Sequence, residues 1–301
     1  MNPSVGIVCR IYLGEIPYIF GFIDYYLRIG VKKFYFIICD KTEEKVIKDF
    51  LKPYSKHIFY YVHRKPVKSI DRDGFEGFEN LIREDYILNV DVDEFLHLKF
   101  KGKQYKTIQE FIIENPFDKY FFDWIMVVND GCSSKNMGFV KKKMGKVMVK
   151  SSNGIKKIIC HDVELEKTDI REFYDDVFVI HYWGRTMEDI IIKCIFGKMP
   201  DKKRTSLEVM IEDINKGILP VRFRLMALLS KAKKDIEIPN FVYDKIRFDI
   251  ESTLIEKFKH KNKLIDLYKK YLDKLNYEFV DKFNKEDMTL LKVLPMMPQS
   301  L

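Results

Sequence analysis

The chain has 301 residues, 47% hydrophobic and 14% aromatic, enough to bury a full core as one large domain or a domain with an appendage. No window approaches the roughly 18 uninterrupted apolar residues of a membrane span, and the N-terminus lacks a signal-peptide pattern, so a cytoplasmic protein is expected. The net charge of +8 suits an anionic ligand; the lysines are dispersed and no nucleic-acid recognition pattern accompanies them, so no nucleic acid is expected as partner.

Val5 to Cys9 is a candidate first strand. Ile16 to Ile29 has a helical apolar period, with Pro17 in its first turn and Gly30 as its stop. Lys33 to Cys39 reads as a strand ending at Asp40, Thr42 to Leu51 as a helix closed by Pro53, and His57 to Val62 as a third strand. A polar loop from His63 to Phe78 leads into a helix, and Tyr86 to Val90 reads as a short buried strand. This repetition predicts a parallel sheet with helices on both faces. Beyond Phe95 come a short helix from Thr107 to Glu114, an aromatic strand from Tyr120 to Val128 and a turn at Asn129-Asp130-Gly131. Lys141 to Lys150, Ile155 to Cys160 and Val177 to Trp183 read as further strands. From Thr186 only helical patterns remain, at Met187 to Phe196, Leu207 to Asn215, Val221 to Lys233 and Tyr243 to Leu275. Residues 1–185 are therefore read as an α/β domain and 186–301 as a helical C-terminal region packing on it. The five scattered cysteines, without Cys-x-x-Cys, read as free thiols in a reducing compartment.

Three carboxylates follow the Tyr86–Val90 run at once: Asp91, Asp93 and Glu94. Ligands of open α/β sheets gather beyond the carboxyl ends of the strands. Asp-x-Asp at that edge offers the hard oxygen ligands and open side that a divalent cation on a phosphate needs. If the strand continues through Asp93, its period of two points both aspartates the same way. An acidic turn after a core strand is the plainer reading. Asp40, just past the second strand, is placed either to meet a base or ribose or to favour a helix N-terminus. His181 ends a much later strand, and an imidazole meeting two carboxylates at one sheet edge makes a site for manganese or magnesium. A structural histidine is the alternative.

Cys9-Arg10, Glu15-Ile16-Pro17-Tyr18, Ile23-Asp24-Tyr25-Tyr26-Leu27 and Gly30-Val31-Lys32-Lys33-Phe34-Tyr35 together resemble the opening of a group of GT-A-type glycosyltransferases. These are the enzymes of glycosyltransferase family 92 and their bacterial family-2-like relatives. Val90-Asp91-Val92-Asp93-Glu94-Phe95-Leu96 looks like that group's Asp-x-Asp-Glu-Phe motif. His181-Tyr182, with Met187-Glu188-Asp189 shortly after, looks like its late His-Tyr block. The resemblance covers residues 5 to 195 in order. It implies a GT-A-like (Rossmann-like) α/β fold, a mixed, mostly parallel sheet flanked by helices. It also implies that Asp91 and Asp93 hold the ribose and the Mn²⁺ or Mg²⁺ of a nucleotide-sugar donor, a UDP-sugar foremost. His181 would complete the metal shell, and Glu15 and Asp40 would line the nucleotide. The same resemblance implies inversion and a glycan or lipid-linked saccharide acceptor. Departure of a nucleoside diphosphate is the difficult part of such a transfer, and a cation offsets the charge that develops on it. Arg10, Arg72 and Arg185 are further diphosphate candidates, with solvated surface arginines as the plainer reading. The chain departs from the group at Leu13-Gly14-Glu15, where Lys-Asn-Glu or Arg-Asn-Glu is usual, and at Val128-Asn129-Asp130-Gly131-Cys132-Ser133.

An inverting transferase needs a general base within reach of the acceptor hydroxyl. Asp130, in a glycine turn after a strand, comes first, then Asp162 and Glu164. Cys160 and His161 lack two further ligands at zinc spacing. The basic, amphipathic stretch from Val221 to Lys234 suits peripheral contact at the inner face of a membrane, or packing with its lysines outward. The expected function is thus metal-dependent glycosyl transfer. The competing readings are a metal-dependent phosphohydrolase or nucleotidyltransferase using Asp91 and Asp93, and a non-catalytic nucleotide-sugar-binding protein.

Overall fold

The computed structural model describes residues 2–63, 79–128, 137–159, 161–175, 177–184, 191, 207–231, 236–237 and 258–274. Its strands are β1 (Val5–Ile11), β2 (Lys33–Ile38), β3 (Ile58–Val62), β4 (Tyr86–Asn89), β5 (Glu94–His97), β6 (Lys99–Phe100) and β7 (Lys103–Gln104). They continue with β8 (Lys119–Val128), β9 (Met137–Lys150), β10 (Ile155–Ile158), β11 (Val163–Leu165), β12 (Glu172–Phe173), β13 (Phe178–Gly184) and β14 (Ile236–Glu237). The helices are α1 (Ile16–Arg28), α2 (Glu44–Phe50), α3 (Ile108–Glu114), α4 (Leu207–Asn215), α5 (Val221–Lys231) and α6 (Lys261–Lys274).

The fold is mixed α/β. The main sheet runs β3-β2-β1-β4-β9-β8-β13-β5. Its first four strands are mutually parallel; β9 is antiparallel to β4, and β13 antiparallel to β5. The chain steps outward from β1 through β2 to β3, then returns to lay β4 on the other side of β1. That reversal is the switch point of a Rossmann-like sheet, where a ligand crevice opens beyond the carboxyl ends of the strands.

The chain gathers into two compact units. Met1–Ile125, Lys141–His181 and Tyr243–Lys245 form the first; Met126–Val140, Tyr182–Val242 and Ile246–Leu301 form the second. In the first unit the two faces of β2 are covered differently, because successive side chains alternate across a strand. Phe34 meets Phe22 of α1, with ring centroids 6.2 Å apart. Tyr35 and Ile37 join Val8, Ile87 and Val147 in a cluster that Ile158 and Val163 of the β10–β11 hairpin complete. Helix α1 starts with proline in its first turn and ends in a Schellman motif, Val31 N–H donating to Tyr26 O (2.9 Å) and Gly30 N–H to Leu27 O (3.1 Å). Gly30 sits at φ 98°, and a Cβ there would meet Gln109 Oε1 at 2.1 Å. The Gln109 amide instead donates to Gly30 O (2.7 Å), tying α3 to the end of α1. Helix α3 itself opens with a capping box between Thr107 and Glu110.

In the second unit α6 packs on α4 and α5. Phe223, Met226, Ala227 and Leu228 of α5 are buried. No described helix is long and apolar enough to cross a membrane. The C-terminal half is not purely helical as expected, since β14 pairs with the start of β9, Ile236 opposite Gly138. The helix expected before the Asp-x-Asp strand is, among the described residues, a single 3₁₀ turn at Glu79–Leu81. The expected helix from Met187 to Phe196 (apart from Ile191), the first part of the last one, and Cys132, Cys160 and Cys194 lie outside the described residues. Among the described residues Cys9 and Cys39 form no disulfide.

Candidate functional site

The acidic motif stands at the switch point. Strand β4 stops at Asn89, Val92 and Asp93 form a turn, and β5 begins at Glu94. The expected continuation of the strand through Asp93 therefore does not occur, and the two aspartates point to different partners. The turn is closed by its own members: Glu94 N–H donates to Asp91 O (3.0 Å), and Glu94 Oε2 accepts from Asp91 N–H (2.7 Å). The aromatic side of α1 holds β5 in place. The Tyr26 hydroxyl donates to Glu94 O (3.0 Å) and accepts from Leu96 N–H (3.0 Å), while Tyr25 donates to Leu96 O. Phe95 fills the space between them, its ring 5.2 Å from that of Tyr25 and 6.1 Å from that of Phe22. Strand β13 then sets His181 directly opposite Glu94 in an antiparallel register. Trp124 lies over the imidazole at 4.4 Å between ring centroids.

Two cations enter the same cluster. Lys146, wholly buried on β9, places Nζ 2.7 Å from Asp91 Oδ2 and 3.3 Å from Glu94 Oε2. Arg10, near the end of β1, reaches Asp91 Oδ1 at 3.3 Å. The antiparallel pairing of β9 with β4, Val147 opposite Asn89, brings Lys146 to Asp91, and on the other side of β9 a Cβ at Gly145 would fall 1.8 Å from Phe122 O. Burial alone would raise the Asp91 carboxyl. The Lys146 ammonium, then the Arg10 guanidinium, outweigh burial and hold Asp91 well below the usual carboxylate range. Glu94 goes the other way: burial pushes it up, with Lys146 opposing and Asp91 reinforcing the shift.

On the far side of Glu94 the polar groups are less satisfied. His181 Nε2 lies 3.7 Å from Asp93 Oδ1, and Nδ1 lies 3.9 Å from Glu94 Oε1. Glu94 Oε1, His181 Nδ1 and Trp124 Nε1 are buried with no hydrogen-bond partner. One ligand atom each from Asp93, Glu94 and His181 falls within 4.8 Å of the others. Two carboxylates and an imidazole with unsatisfied, buried donor atoms fit a divalent cation such as Mn²⁺ or Mg²⁺.

The remaining residues singled out in the sequence each have their own setting. Glu15 is buried at the start of α1. Asp40 caps the turn after β2, its Oδ1 accepting from Thr42 N–H (2.8 Å) and Thr42 Oγ1 (2.7 Å). Asp162 pairs with Lys119 at 2.5 Å, and Glu164 is exposed on β11. Both line an open cavity of about 500 Å³ together with Lys119, Lys156 and Lys167. Asp130, Arg72 and Arg185 lie outside the described residues. Sequence reasoning missed Lys146 and Trp124 and gave Glu94 no role. The signal for Lys146 was present: one lysine inside the apolar run Gly145-Lys146-Val147-Met148-Val149, all of it buried.

No protein-family model and no curated protein matches the chain. Among solved structures, S. aureus TarS 1–349 aligns over 91% of this chain and 93% of its own, with 11% identity and a TM-score of 0.38. The same TarS fragment in complex with UDP aligns over 71% and 70%, with 10% identity and a TM-score of 0.37. A structure described as a putative glucose-1-phosphate thymidylyltransferase from Bacillus anthracis, in complex with sucrose, aligns over 50% and 72%, with 11% identity and a TM-score of 0.31. Likenesses this distant leave the chemistry to the chain's own geometry.

Proposed function

We propose that the chain is a GT-A-like, cation-dependent glycosyltransferase that takes its sugar from a nucleotide-sugar, a UDP-sugar being the first donor to test. The observation that carries this reading is one convergence. Arg10, Asp91, Asp93, Glu94 and His181 converge at the carboxyl ends of β1 and β4, at the switch point where nucleotides seat in such sheets. The resemblance of the ordered motifs to those of glycosyltransferase family 92 and its bacterial family-2-like relatives agrees with it.

Asp93, Glu94 and His181 would hold Mn²⁺ or Mg²⁺, and the bound ion would supply Lewis acidity toward the departing diphosphate. Arg10 offers a guanidinium at the crevice for a phosphate oxygen, and Asp91, 29% exposed at its side chain, offers a carboxylate to the ribose. In the transfer the bond from the anomeric carbon to the diphosphate oxygen breaks, a bond to the acceptor oxygen forms, and the acceptor proton passes to a carboxylate base. Asp130, which follows β8 in the sequence, stays the first candidate for that base, with Asp162, which pairs with Lys119, and Glu164 behind it. The acceptor is a glycan or lipid-linked saccharide.

The test is a thermal-shift panel of UDP, GDP, CMP and their sugar conjugates with Mn²⁺ or EDTA, on wild type and Asp93→Asn. Ligand at a hundredfold excess over Kd adds about 2.7 kcal/mol to stability. The expected result is a cation-dependent rise for one nucleotide that Asp93→Asn removes. No shift with any nucleotide sugar, together with release of inorganic phosphate or pyrophosphate from the panel, would move the assignment to a phosphohydrolase or nucleotidyltransferase.

A further inference from the structure

We propose that Lys146 is a resident counter-cation that keeps Asp91 out of the divalent-cation shell and confines the ion to Asp93, Glu94 and His181. The inference rests on the reading of that trio as a cation site and says what fixes its position.

The carboxylate oxygens sort into two sets around Lys146. Both oxygens of Asp91 are engaged by fixed cations, Oδ2 by Lys146 at 2.7 Å and Oδ1 by Arg10 at 3.3 Å. Glu94 is divided. Its Oε2 faces Lys146 at 3.3 Å and takes the Asp91 N–H at 2.7 Å, while Oε1 has no hydrogen-bond partner and looks toward His181. Asp93 stands on the His181 side, 3.7 Å from Nε2. A divalent ion approaching Asp91 Oδ2 would have to displace a wholly buried ammonium or sit in its repulsive field, which at short range in a protein interior is large. An ion on the other side of Glu94 meets the unsatisfied atoms and keeps Glu94 between itself and Lys146.

Lys146 is therefore a positioning residue: it decides which carboxylates of the acidic motif face the ion. Removing its charge should free Asp91 as an additional ligand and take away a nearby positive charge. Both changes draw cations in more strongly, whereas a purely structural lysine would weaken binding when lost.

The test is Mn²⁺ binding to the full chain without nucleotide, measured by calorimetry and by electron paramagnetic resonance of the free ion. Lys146→Met should bind Mn²⁺ about tenfold more tightly than wild type, the size of effect that neighbouring groups exert on metal sites. Lys146→Arg, which keeps the charge, should stay near wild type, and adding Asp91→Asn to Lys146→Met should remove the gain. In the wild-type background Asp91→Asn should leave Mn²⁺ affinity nearly unchanged while Asp93→Asn weakens it about tenfold or more. That arm decides the matter if Lys146→Met does not fold. Equal losses from Asp91→Asn and Asp93→Asn, or unchanged or weaker binding in folded Lys146→Met, would overturn the inference and leave the cation reading standing. Binding by Lys146→Met with none by wild type would overturn the inference, because the trio in the wild-type chain would then hold no ion for Lys146 to confine. No binding by any variant would overturn both.

Discussion

Among the described residues each compact unit buries one cation, and the two are treated differently. Lys146 lies between Asp91 and Glu94, within 2.7 and 3.3 Å of their oxygens. Arg224 on α5 is only 6% exposed, yet its Nε and Nη1 have no hydrogen-bond partner. Burial pushes the Arg224 guanidinium down, with Tyr271 and then Asp213 opposing the shift. A buried charge with close, oriented counter-charges is part of a network, and deleting one member strands the others. A buried charge without them is carried by the hydrophobic packing around it. The difference separates a cluster in which the buried cation is closely paired from a helical region in which the buried guanidinium keeps two nitrogens without a hydrogen-bond partner.

The sharpest way to break this comparison is Lys146→Met. It leaves Asp91 and Glu94 facing each other in the interior, and chemical denaturation at neutral pH should show a loss of about 3–5 kcal/mol. The pH dependence has a definite sign. Asp91 is depressed in the folded state, so its contribution is present above the usual aspartate range and is lost only as pH falls through its low folded value. In Lys146→Met the same carboxyl becomes neutral at a higher pH, which relieves the repulsion. The gap from wild type should therefore narrow as the pH is lowered toward about 4. A gap that is constant with pH would mean that the loss is one of packing.

A smaller effect isolates the neutral support of the site. Tyr26→Phe removes the hydroxyl that bridges Glu94 O and Leu96 N–H and leaves both buried without that partner. The expected cost is about 1–3 kcal/mol by urea unfolding, with a weakened cation response because Glu94 is no longer fixed. The smallest effect belongs to the other unit. Arg224→Met keeps the stem and drops the charge, so stability should stay within about 1 kcal/mol of wild type or rise. A loss of several kcal/mol on the same denaturation curve would place Arg224 in a charge network of its own.

How far these regions were legible in the sequence depends on the range of their interactions. The parallel half was readable because β1, α1, β2, α2 and β3 are local patterns. Pro17 and Gly30 mark the ends of α1 through the backbone itself, and the Asp-x-Asp motif announces an acidic edge by composition. The site's inner wiring is non-local. Lys146 meets Asp91 across 55 residues, through the pairing of β4 with β9, and His181 faces Glu94 only because β13 pairs with β5. An isolated lysine in an apolar run signals that a partner exists without saying which. The break of the strand after Asn89 was hidden for a different reason. It is fixed by the Glu94 carboxylate folding back on Asp91 N–H, a side-chain closure that the period of two does not register.

The most direct measurement is anomalous diffraction from crystals of the full chain grown with Mn²⁺ and UDP. The prediction is one strong manganese peak bonded to Asp93, Glu94 and His181, with the diphosphate beyond the carboxyl ends of β1 and β4 and Asp91 still held by Lys146 and Arg10. A peak elsewhere, or a diphosphate lodged in the lysine-lined cavity beside β11, would contradict the switch point as the donor site.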